Sequence, residues 1–382
     1  MLMSKTNPAD REAACLLDIQ IFRKGSKNAN LFTIVSMLFI VIVLSVLIWI
    51  LPHNEFSEIE NRYLQKAPTF EVSEIFDGNF TKKLSEYCKD SFPLRNIFVS
   101  LNSYTDLALG KREASGVIAG KEGVLIPSPS ASFDSINNFS SNANAVNSLS
   151  KNLELPCTIA VIPSKYMIIA KDLPSLWSAD RYGYDLPVSA VNLITNLTDK
   201  EYVIYNTDHH LTTYGAYLVY ISLADELGYI PFADFTPALA SSDFCGTSWS
   251  KSGLYLTSPD SLELYRYNGD NEFKVTGDVN MQGLYDFAKL SEKDKYAVFL
   301  GGNYGHIKIS DNTNKPKLLI IKDSFANALA PFLARHFELD MVDPRYFRGD
   351  IFKIAKECDK VLFLYGAESW LSGTDLVKLT LK

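Results

Sequence analysis

The longest apolar stretch of the chain runs from Leu31 to Leu51 and contains no charged side chain. A stretch of this length spans the hydrocarbon core of a bilayer as a helix. The alternative is a cleaved signal peptide, whose apolar region is shorter and is followed by a small-residue cleavage site. Here the stretch contains Trp49 near its end and runs directly into Pro52, which offers no such site. We therefore predict an uncleaved transmembrane helix.

Charges on the two sides of this stretch predict its orientation. The preceding residues 1–30 are polar and contain basic side chains at Lys5, Arg11, Arg23, Lys24 and Lys27. The segment that follows contains acidic side chains at Glu55, Glu58 and Glu60. Because basic flanks stay in the cytoplasm, we predict a cytoplasmic tail over residues 1–30. Everything after residue 52 then lies on the outer face of the cell membrane, in a single-pass protein.

Residues 52–125 form a first region outside the membrane. Phe80, Leu84 and Tyr87 recur at helical spacing, and two short apolar runs over residues 116–126 with glycines between them predict a small hairpin. We therefore predict a juxtamembrane helical segment and a hairpin that lead into the main domain.

In residues 126–382, buried strand patterns alternate with helical ones. The predicted strands are residues 157–162, 202–205, 296–300, 318–321, 339–342 and 361–364. Apolar side chains at helical spacing from Tyr214 to Leu227 predict a helix that Gly228 ends. The alternation predicts an α/β domain with a mostly parallel sheet covered on both faces. Ligands of such sheets bind at the carboxyl ends of the strands.

The segment 317–337, KLLIIKDSFANALAPFLARHF, has the pattern of a buried strand, a polar turn and an apolar helix. In α/β enzymes a nucleophile often lies in such a turn, where free N–H groups of the helix point at the group it attacks. Ser324 is the candidate nucleophile. The alternative is that Asp323 and Ser324 only cap the helix.

The loop 206–214, NTDHHLTTY, follows the predicted strand 202–205 and contains two of the five histidines of the chain. A serine nucleophile needs a neighbouring base, and a carboxylate that holds one ring nitrogen orients an imidazole for that role. Asp208 with His210, or Asp208 with His209, would supply the pair. The alternatives are a polar loop with half-buried histidines, or a metal site to which His306 adds a ligand.

Composition excludes several classes of function. The net charge is -7 and the pI is about 5.4, and no long basic run follows the apolar stretch, which argues against a nucleic-acid partner. The five cysteines form no CxxC pair and no cluster with histidine, so we predict no metal site. Their spacing favours isolated thiols over a disulfide framework, although a single bridge stays open. No glycine-rich nucleotide-binding loop is visible, so we predict no cofactor.

Several motifs together resemble the DHHW family of membrane-anchored, SGNH-hydrolase-like proteins. They are TDHH with TTYG (207–215), KDSF with PFL (322–333), FLGGN (299–303), VDPRY (342–346), ENR (60–62), DSFPLR (90–95) and GTSWSKSG (246–253). The family is similar to the AlgX/AlgJ type of polysaccharide O-acetylation proteins. The resemblance implies an SGNH-like (flavodoxin-like), three-layer αβα fold and an extracytoplasmic O-acetyltransferase with a Ser-His-Asp triad.

Carried over by position, the resemblance implies that Ser324 is the nucleophile, His210 the base and Asp208 its orienting carboxylate. Two positions depart from the pattern. Leu211 stands where the family has Trp, and Lys322 stands where SGNH enzymes have Gly. The second departure, which the DHHW family shares, concerns whether the oxyanion hole is built as in ordinary SGNH esterases.

Further residues are candidates for substrate binding. One oxyanion donor would be the Ser324 N–H, and the second would come from the loop with Gly302 and Asn303. His209 lies beside the predicted base. Arg345 and Tyr346, in the turn after the predicted strand 339–342, could bind a glycan, or Arg345 could pair with Asp343.

We predict that the chain transfers acyl groups to a secreted or cell-surface polysaccharide. A single anchor helix cannot move an acyl group across a bilayer, and the resemblance implies that a membrane-bound O-acyltransferase supplies it. The alternatives are a carbohydrate acetylesterase with the same triad, in which water is the acceptor, and a non-catalytic glycan-binding or assembly protein.

Overall fold

A computed structural model describes residues 8–57, 59, 62–70, 72–129, 133–175, 177, 190–198 and 200–380. It divides the chain into two compact units. The first comprises residues 1–57 and 62–98, and the second comprises residues 58–61 and 99–382. The predicted tail over residues 1–30 falls partly outside the described residues. The predicted boundary at residue 125 stays a prediction.

The first unit is dominated by one long helix. Its elements are α1 (Pro8–Ile50), β1 (Phe56–Ser57), β2 (Arg62–Tyr63), α2 (Val72–Phe76) and α3 (Asn79–Asp90). Within α1, the segment Ala29–Ile50 is long and apolar enough to cross a bilayer. It is therefore a candidate membrane anchor, as the apolar stretch predicts. Its orientation and the membrane it enters stay predictions.

The second unit contains most of the strands and helices. The strands are β3 (Glu113–Ala114), β4 (Val117–Ala119), β5 (Leu125–Pro127), β6 (Cys157–Ile162), β7 (Ala190–Val191), β8 (Thr236–Phe244), β9 (Asp260–Arg266), β10 (Lys274–Gly277), β11 (Met281–Gln282), β12 (His306–Ser310), β13 (Lys317–Lys322), β14 (Glu338–Val342) and β15 (Lys360–Gly366). The helices are α4 (Arg95–Ala108), α5 (Phe133–Asn152), α6 (Lys165–Ile168), α7 (Ile194–Leu197), α8 (Thr213–Ser222), α9 (Ala224–Leu227), α10 (Thr247–Ser252), α11 (Ala326–Leu333), α12 (Ile351–Ala355), α13 (Ala367–Ser372) and α14 (Asp375–Lys378).

A large sheet of eight strands organises the second unit, in the order β11-β10-β12-β14-β13-β15-β6-β7. The strands β14, β13, β15, β6 and β7 are parallel to one another, whereas β12, β10 and β11 are antiparallel to their neighbours and form one edge. The sheet is therefore mixed and mostly parallel, and β13 lies in its middle. The predicted hairpin is also present, as β4 paired with β5.

Both faces of the sheet are buried, and this follows from the apolar runs. In β13, Leu318 and Ile320 pack into one apolar cluster with side chains of α8 and α11. Leu319 and Ile321 pack into another on the opposite face, with side chains of α5, α12 and α13. Because successive side chains of a strand point to opposite faces, only a continuous apolar run can serve both clusters.

Two of the six predicted strands are wrong. Residues 202–205 form one isolated bridge, from Ile204 to Leu211, and stay outside the large sheet. Residues 296–300 lie instead in the 3₁₀ helix Lys295–Val298 and the turn after it. Most side chains of both runs are buried, although Tyr202 is 42% exposed, and short apolar runs of this kind do not distinguish a strand from other buried segments.

The predicted helix after the histidine loop is confirmed, in two pieces. It consists of α8 and α9, and Gly228 ends it with a left-handed backbone, φ 74°. A glycine adopts this conformation without strain.

Within the part of the chain that the structure describes, the cysteines at 88, 157, 245 and 358 are free thiols.

Candidate active site

Ser324 lies in the turn between β13 and α11. The carboxylate of the preceding Asp323 holds this turn by accepting hydrogen bonds from the Phe325 N–H (3.0 Å) and the Gly366 N–H (2.8 Å). It also accepts one from the Ser369 hydroxyl at 2.6 Å. Asp323 therefore performs the local capping that the alternative interpretation assigned to both residues, and the hydroxyl of Ser324 points elsewhere.

The loop that contains Asp208 and His210 folds back on itself. The bridge between Ile204 and Leu211 closes it, and the N–H of Tyr205 donates to the carbonyl of His210 at 3.2 Å. The loop thus does not leave the end of a sheet strand, contrary to the prediction. It reaches the carboxyl end of β13 from a neighbouring layer of loops.

Two buried charged residues hold this loop from below. The ammonium of Lys165, which is 1% exposed, donates to three backbone carbonyls of the loop, those of Tyr205 (2.5 Å), Asn206 (2.9 Å) and Asp208 (2.8 Å). The carboxylate of Asp260 accepts from the N–H groups of Asn206 (2.9 Å) and Thr207 (2.7 Å). Carbonyls and N–H groups that would otherwise be buried without partners are thereby satisfied.

Asp208, His210 and Ser324 form one chain of hydrogen bonds. His210 Nδ1 is 2.5 Å from Asp208 Oδ1, and His210 Nε2 is 2.8 Å from Ser324 Oγ. A carboxylate only accepts hydrogen bonds, so Nδ1 carries the hydrogen and Nε2 presents its lone pair to the Ser324 hydroxyl. The structure therefore brings together the three residues to which the sequence assigned nucleophile, base and orienting carboxylate.

The other oxygen of Asp208 is held by the start of α10. It accepts from the N–H of Thr247 at 2.6 Å and from the Thr247 hydroxyl at 2.9 Å. Gly246 makes this approach possible, because a Cβ there would lie 2.2 Å from Asp208 Oδ2. Burial raises the pKa of the Asp208 carboxyl, but the two histidine rings and the Thr247 N–H outweigh it and hold the pKa well below its usual range.

Aromatic rings fix the plane of the His210 imidazole. Tyr296 stacks on it, with ring centroids 4.0 Å apart and an interplanar angle of 14°. His209 lies against it with centroids 3.9 Å apart, and Phe325 lies at 5.1 Å. The imidazole is 6% exposed and Ser324 is 9% exposed. Both residues are therefore largely buried, and a small fraction of each stays exposed.

His209 serves Thr247 rather than Ser324 in the described contacts. Its Nδ1 is 2.7 Å from the Thr247 hydroxyl oxygen. Since that hydroxyl donates to Asp208, its oxygen accepts from His209, and Nδ1 carries the hydrogen. Burial, and then the neighbouring His210, lower the pKa of His209 to about 3. His209 is therefore neutral at physiological pH.

Asp208, His209 and His210 also have ligand atoms within 4.8 Å of one another, as a metal site requires. However, the Asp208 oxygens and both His210 nitrogens already take part in the hydrogen bonds described above. His306, the further ligand considered from the sequence, begins β12, which β14 separates from β13, and its Nε2 lies 2.7 Å from Asp340 Oδ1. The geometry therefore favours proton transfer over metal binding.

The glycine loop with Gly302 and Asn303 contacts the first turn of α11. Asn327, in that turn, donates through Nδ2 to the Gly302 carbonyl (3.1 Å) and to Asn303 Oδ1 (3.0 Å). The Gly302 N–H donates to the Phe299 carbonyl at 3.3 Å, so this N–H is occupied. Asn303 is exposed, and its bond to Asn327 uses the amide oxygen and not the NH₂.

Arg345 and Tyr346 follow β14, the neighbour of β13. The pairing of Ile321 with Val342 brings the two strands to the same edge, so the turns after them are adjacent. The guanidinium of Arg345 forms an ion pair with Asp343, with contacts of 2.9 and 2.6 Å. Tyr346 is 53% exposed. The alternative prediction, an ion pair of Arg345 with Asp343, is therefore confirmed, whereas a glycan contact stays a prediction.

Residues 189–342 match the DHHW protein family. This confirms the predicted resemblance, and the matched segment includes Asp208, His210 and Ser324. No curated protein matches the chain.

Solved structures with a similar fold extend the comparison. A DHHW family protein from Eubacterium siraeum aligns over 69% of this chain and 97% of its own length, with 20% identity and a TM-score of 0.56. Bacillus cereus PatB1 with a sulfonyl adduct aligns over 68% of this chain and 98% of its own, with 22% identity and a TM-score of 0.55. The O-acetyltransferase domain of Pseudomonas putida AlgJ aligns over 69% and 95%, with 16% identity and a TM-score of 0.46. At these identities the first two show a shared fold.

Several residues of the site that lie in the matched segment are not predicted from the sequence. Gly246 and Thr247 begin the GTSWSKSG motif, so a signal for them was present in the resemblance. Asn327 and Tyr296 were interpreted only as part of a helix and a strand. Asp260 has no local signal, because its role depends on a loop far away in the chain.

Proposed function

We propose that this chain is an O-acyltransferase in which Ser324 carries the acyl group as an ester. One observation carries the proposal, namely the continuous chain of hydrogen bonds from Asp208 through His210 to Ser324 Oγ. Serine is a weak nucleophile unless an adjacent base takes its proton. The stacked rings hold the plane of the base, and the Asp208 contact holds it in the tautomer that accepts this proton.

The proposed reaction has two halves. His210 Nε2 takes the proton of Ser324, Oγ attacks the acyl carbonyl, and the leaving group departs with the proton from the imidazolium. In the second half, His210 takes the proton of a sugar hydroxyl, whose oxygen attacks the acyl-serine. The sugar ester leaves, and the proton returns to Ser324 Oγ, so that the enzyme is restored.

Charge develops on the carbonyl oxygen in both halves. The Ser324 N–H, at the start of the turn, is one proposed donor to this oxyanion. The exposed side-chain amide of Asn303 is the second. Gly302 supports the loop rather than donating, since its N–H already bonds Phe299. The fold we propose for this site is SGNH-like, with αβα layering, which the buried clusters on both faces of the sheet support.

The substrates follow from the predicted position outside the cell. We propose a secreted or cell-surface polysaccharide as the acceptor. The acyl donor on this side of the membrane would be a membrane-bound O-acyltransferase, which the chain would meet through the candidate anchor Ala29–Ile50. Two residues after β14 would contact a sugar. The guanidinium of Arg345, which is paired with Asp343, would offer polar contacts, and the exposed ring of Tyr346 would stack on the sugar.

The first test measures acyl transfer with the full-length protein in detergent. Release of p-nitrophenol from p-nitrophenyl acetate is followed with and without an oligosaccharide acceptor, for the native chain and for Ser324→Ala. We expect release that needs Ser324 and an acetylated oligosaccharide detected by mass spectrometry. Acetate without acetylated sugar would identify an esterase, and equal background release from both proteins would indicate a binding protein.

A second test identifies the nucleophile. Bacillus cereus PatB1 has been seen with a sulfonyl adduct, and sulfonyl fluorides react with activated nucleophiles. We expect methanesulfonyl fluoride to label Ser324 in the native chain and to label it far more slowly in His210→Ala. Labelling at another residue would contradict the assignment of Ser324.

A further inference from the structure

Lys322 is a lysine buried in the middle of the domain, at the end of β13. It is 1% exposed. Its Nζ donates a hydrogen bond of 2.6 Å to Asn327 Oδ1. Burial lowers the pKa of this amine to about 8, so the group is an ammonium below that pH. Burying an ammonium is unfavourable, which calls for a reason why a lysine occupies this position.

The hydrogen bonds of Asn327 can be assigned in only one way. An ammonium donates and cannot accept, and a backbone carbonyl accepts and cannot donate. The amide of Asn327 lies between one of each, the Lys322 ammonium and the Gly302 carbonyl. Its oxygen must therefore face Lys322, and its NH₂ must face Gly302 and Asn303.

This orientation passes on to Asn303. Because the Asn327 NH₂ donates a hydrogen bond to Asn303 at 3.0 Å, Asn303 must accept it through its amide oxygen. Its own NH₂ then points away from Asn327, on the exposed side of the loop. Asn327 also belongs to the turn of the nucleophile, since its N–H donates to the Ser324 carbonyl at 3.2 Å. The orientation of the Asn303 amide is thus fixed by Asn327, a residue of the same turn as Ser324.

We propose that Lys322 is a positioning residue, which acts through Asn327 to keep the Asn303 NH₂ available as an oxyanion donor. The proposal rests on the proposed function, because the oxyanion belongs to the acyl intermediate. Without a donor at position 322, only the Gly302 carbonyl would oppose rotation of the Asn327 amide. The rotated amide would offer its oxygen to Asn303, whose NH₂ would then turn inward. A glycine at this place could not enforce the orientation.

Activity tests this relay through a double-mutant cycle. Asn303→Ala should lower kcat about 10²–10³-fold, as loss of one oxyanion donor does. Lys322→Met keeps the length and volume of the side chain, and we expect it to lower kcat at least tenfold with KM changed less than about threefold. In the Asn303→Ala background, Lys322→Met should change kcat less than about twofold, because its effect passes through Asn303.

A merely structural lysine would give another result. The fold losses in kcat caused by Asn303→Ala and Lys322→Met would then multiply in the double mutant, and that outcome would overturn the proposal. An unchanged kcat in Lys322→Met would overturn it as well. Should Lys322→Met not fold, Asn327→Asp provides the second route. Aspartate still accepts from Lys322 but offers no NH₂ to Asn303, so the same loss of kcat is expected. Full activity in Asn327→Asp would contradict the relay.

One readout does not depend on activity. In full-length protein labelled with ¹⁵N-asparagine, the side-chain NH₂ signal of Asn327 can be assigned by its loss in Asn327→Asp. We expect its exchange with water to be at least tenfold faster in Lys322→Met, with a shifted Asn303 signal. Unchanged signals would overturn the inference even if acyl transfer is observed. If the native chain showed no more acyl transfer than Ser324→Ala, only the proposed function would be refuted, because the NMR readout does not depend on activity.

Discussion

Replacing Asp208 by Asn tests whether the carboxylate orients the base. The change keeps the size of the side chain and removes its charge. In the native site, Asp208 Oδ1 accepts from His210 N–H (2.9 Å) and Nδ1 (2.5 Å), and Oδ2 accepts from Thr247 N–H (2.6 Å) and hydroxyl (2.9 Å). Each oxygen thus faces a backbone N–H, which cannot accept a hydrogen bond.

Either orientation of the new amide is therefore unfavourable. With its NH₂ toward His210, the amide favours the tautomer with hydrogen on Nε2, which cannot take the proton of Ser324. With its NH₂ toward Thr247, it opposes the part-buried Thr247 N–H, which loses its partner at a cost of up to about 1–3 kcal/mol. In serine hydrolases a carboxylate-to-amide change that leaves the wrong tautomer lowers kcat about 10⁴-fold. We expect a loss of this order here.

The assay measures the release of p-nitrophenol from p-nitrophenyl acetate. The free energy of unfolding of the same preparation is measured by urea titration. Asp243→Asn is the matched control, since the Asp243 side chain is 72% exposed, and we expect its kcat to be unchanged and its stability to shift by less than about 0.5 kcal/mol. A kcat of Asp208→Asn within about threefold of the native value would refute the idea that this carboxylate selects the tautomer. A large loss of folding in the control would invalidate the comparison.

Three further outcomes are expected. Gly246→Ala places a Cβ 2.2 Å from Asp208 Oδ2 and should lower kcat more than tenfold and stability by about 1–3 kcal/mol; native kinetics would contradict this packing. Lys165→Met leaves three loop carbonyls without their donor and should lower both the melting temperature and kcat, which calorimetry and kinetics measure. The pKa of His209 is lowered to about 3, so the unfolded chain binds a proton between about pH 6.5 and 3 that the folded chain does not, and stability decreases as the pH is lowered through this range. His209→Gln should reduce that slope in urea titrations and leave the activity profile between pH 5 and 8 unchanged; a shifted profile would mean that His209 titrates in the reaction.

Much of the site was predictable because short motifs combine residue types that only certain chemistry requires. A serine in a strand–turn–helix pattern and an acid beside two histidines suggested Ser324, His210 and Asp208. The predicted strand 202–205, from whose end the histidine loop was expected to start, is wrong, because these residues form no strand of the sheet. The loop reaches β13 because Lys165 and Asp260 satisfy its backbone groups, and neither residue belongs to a recognisable motif.

The amino-acid sequence by itself determined the candidate anchor, the buried parallel strands and the chemistry of the site residues. These properties depend on local patterns, namely the length of an apolar run, its period and the residues beside it. Only the tertiary structure decided that the Asp323 carboxylate holds the turn while the Ser324 hydroxyl meets a ring 114 residues away in the chain. It also decided which way the Asn303 amide faces. Such relations depend on strand register and on a network of hydrogen bonds among distant residues, and no local pattern encodes them.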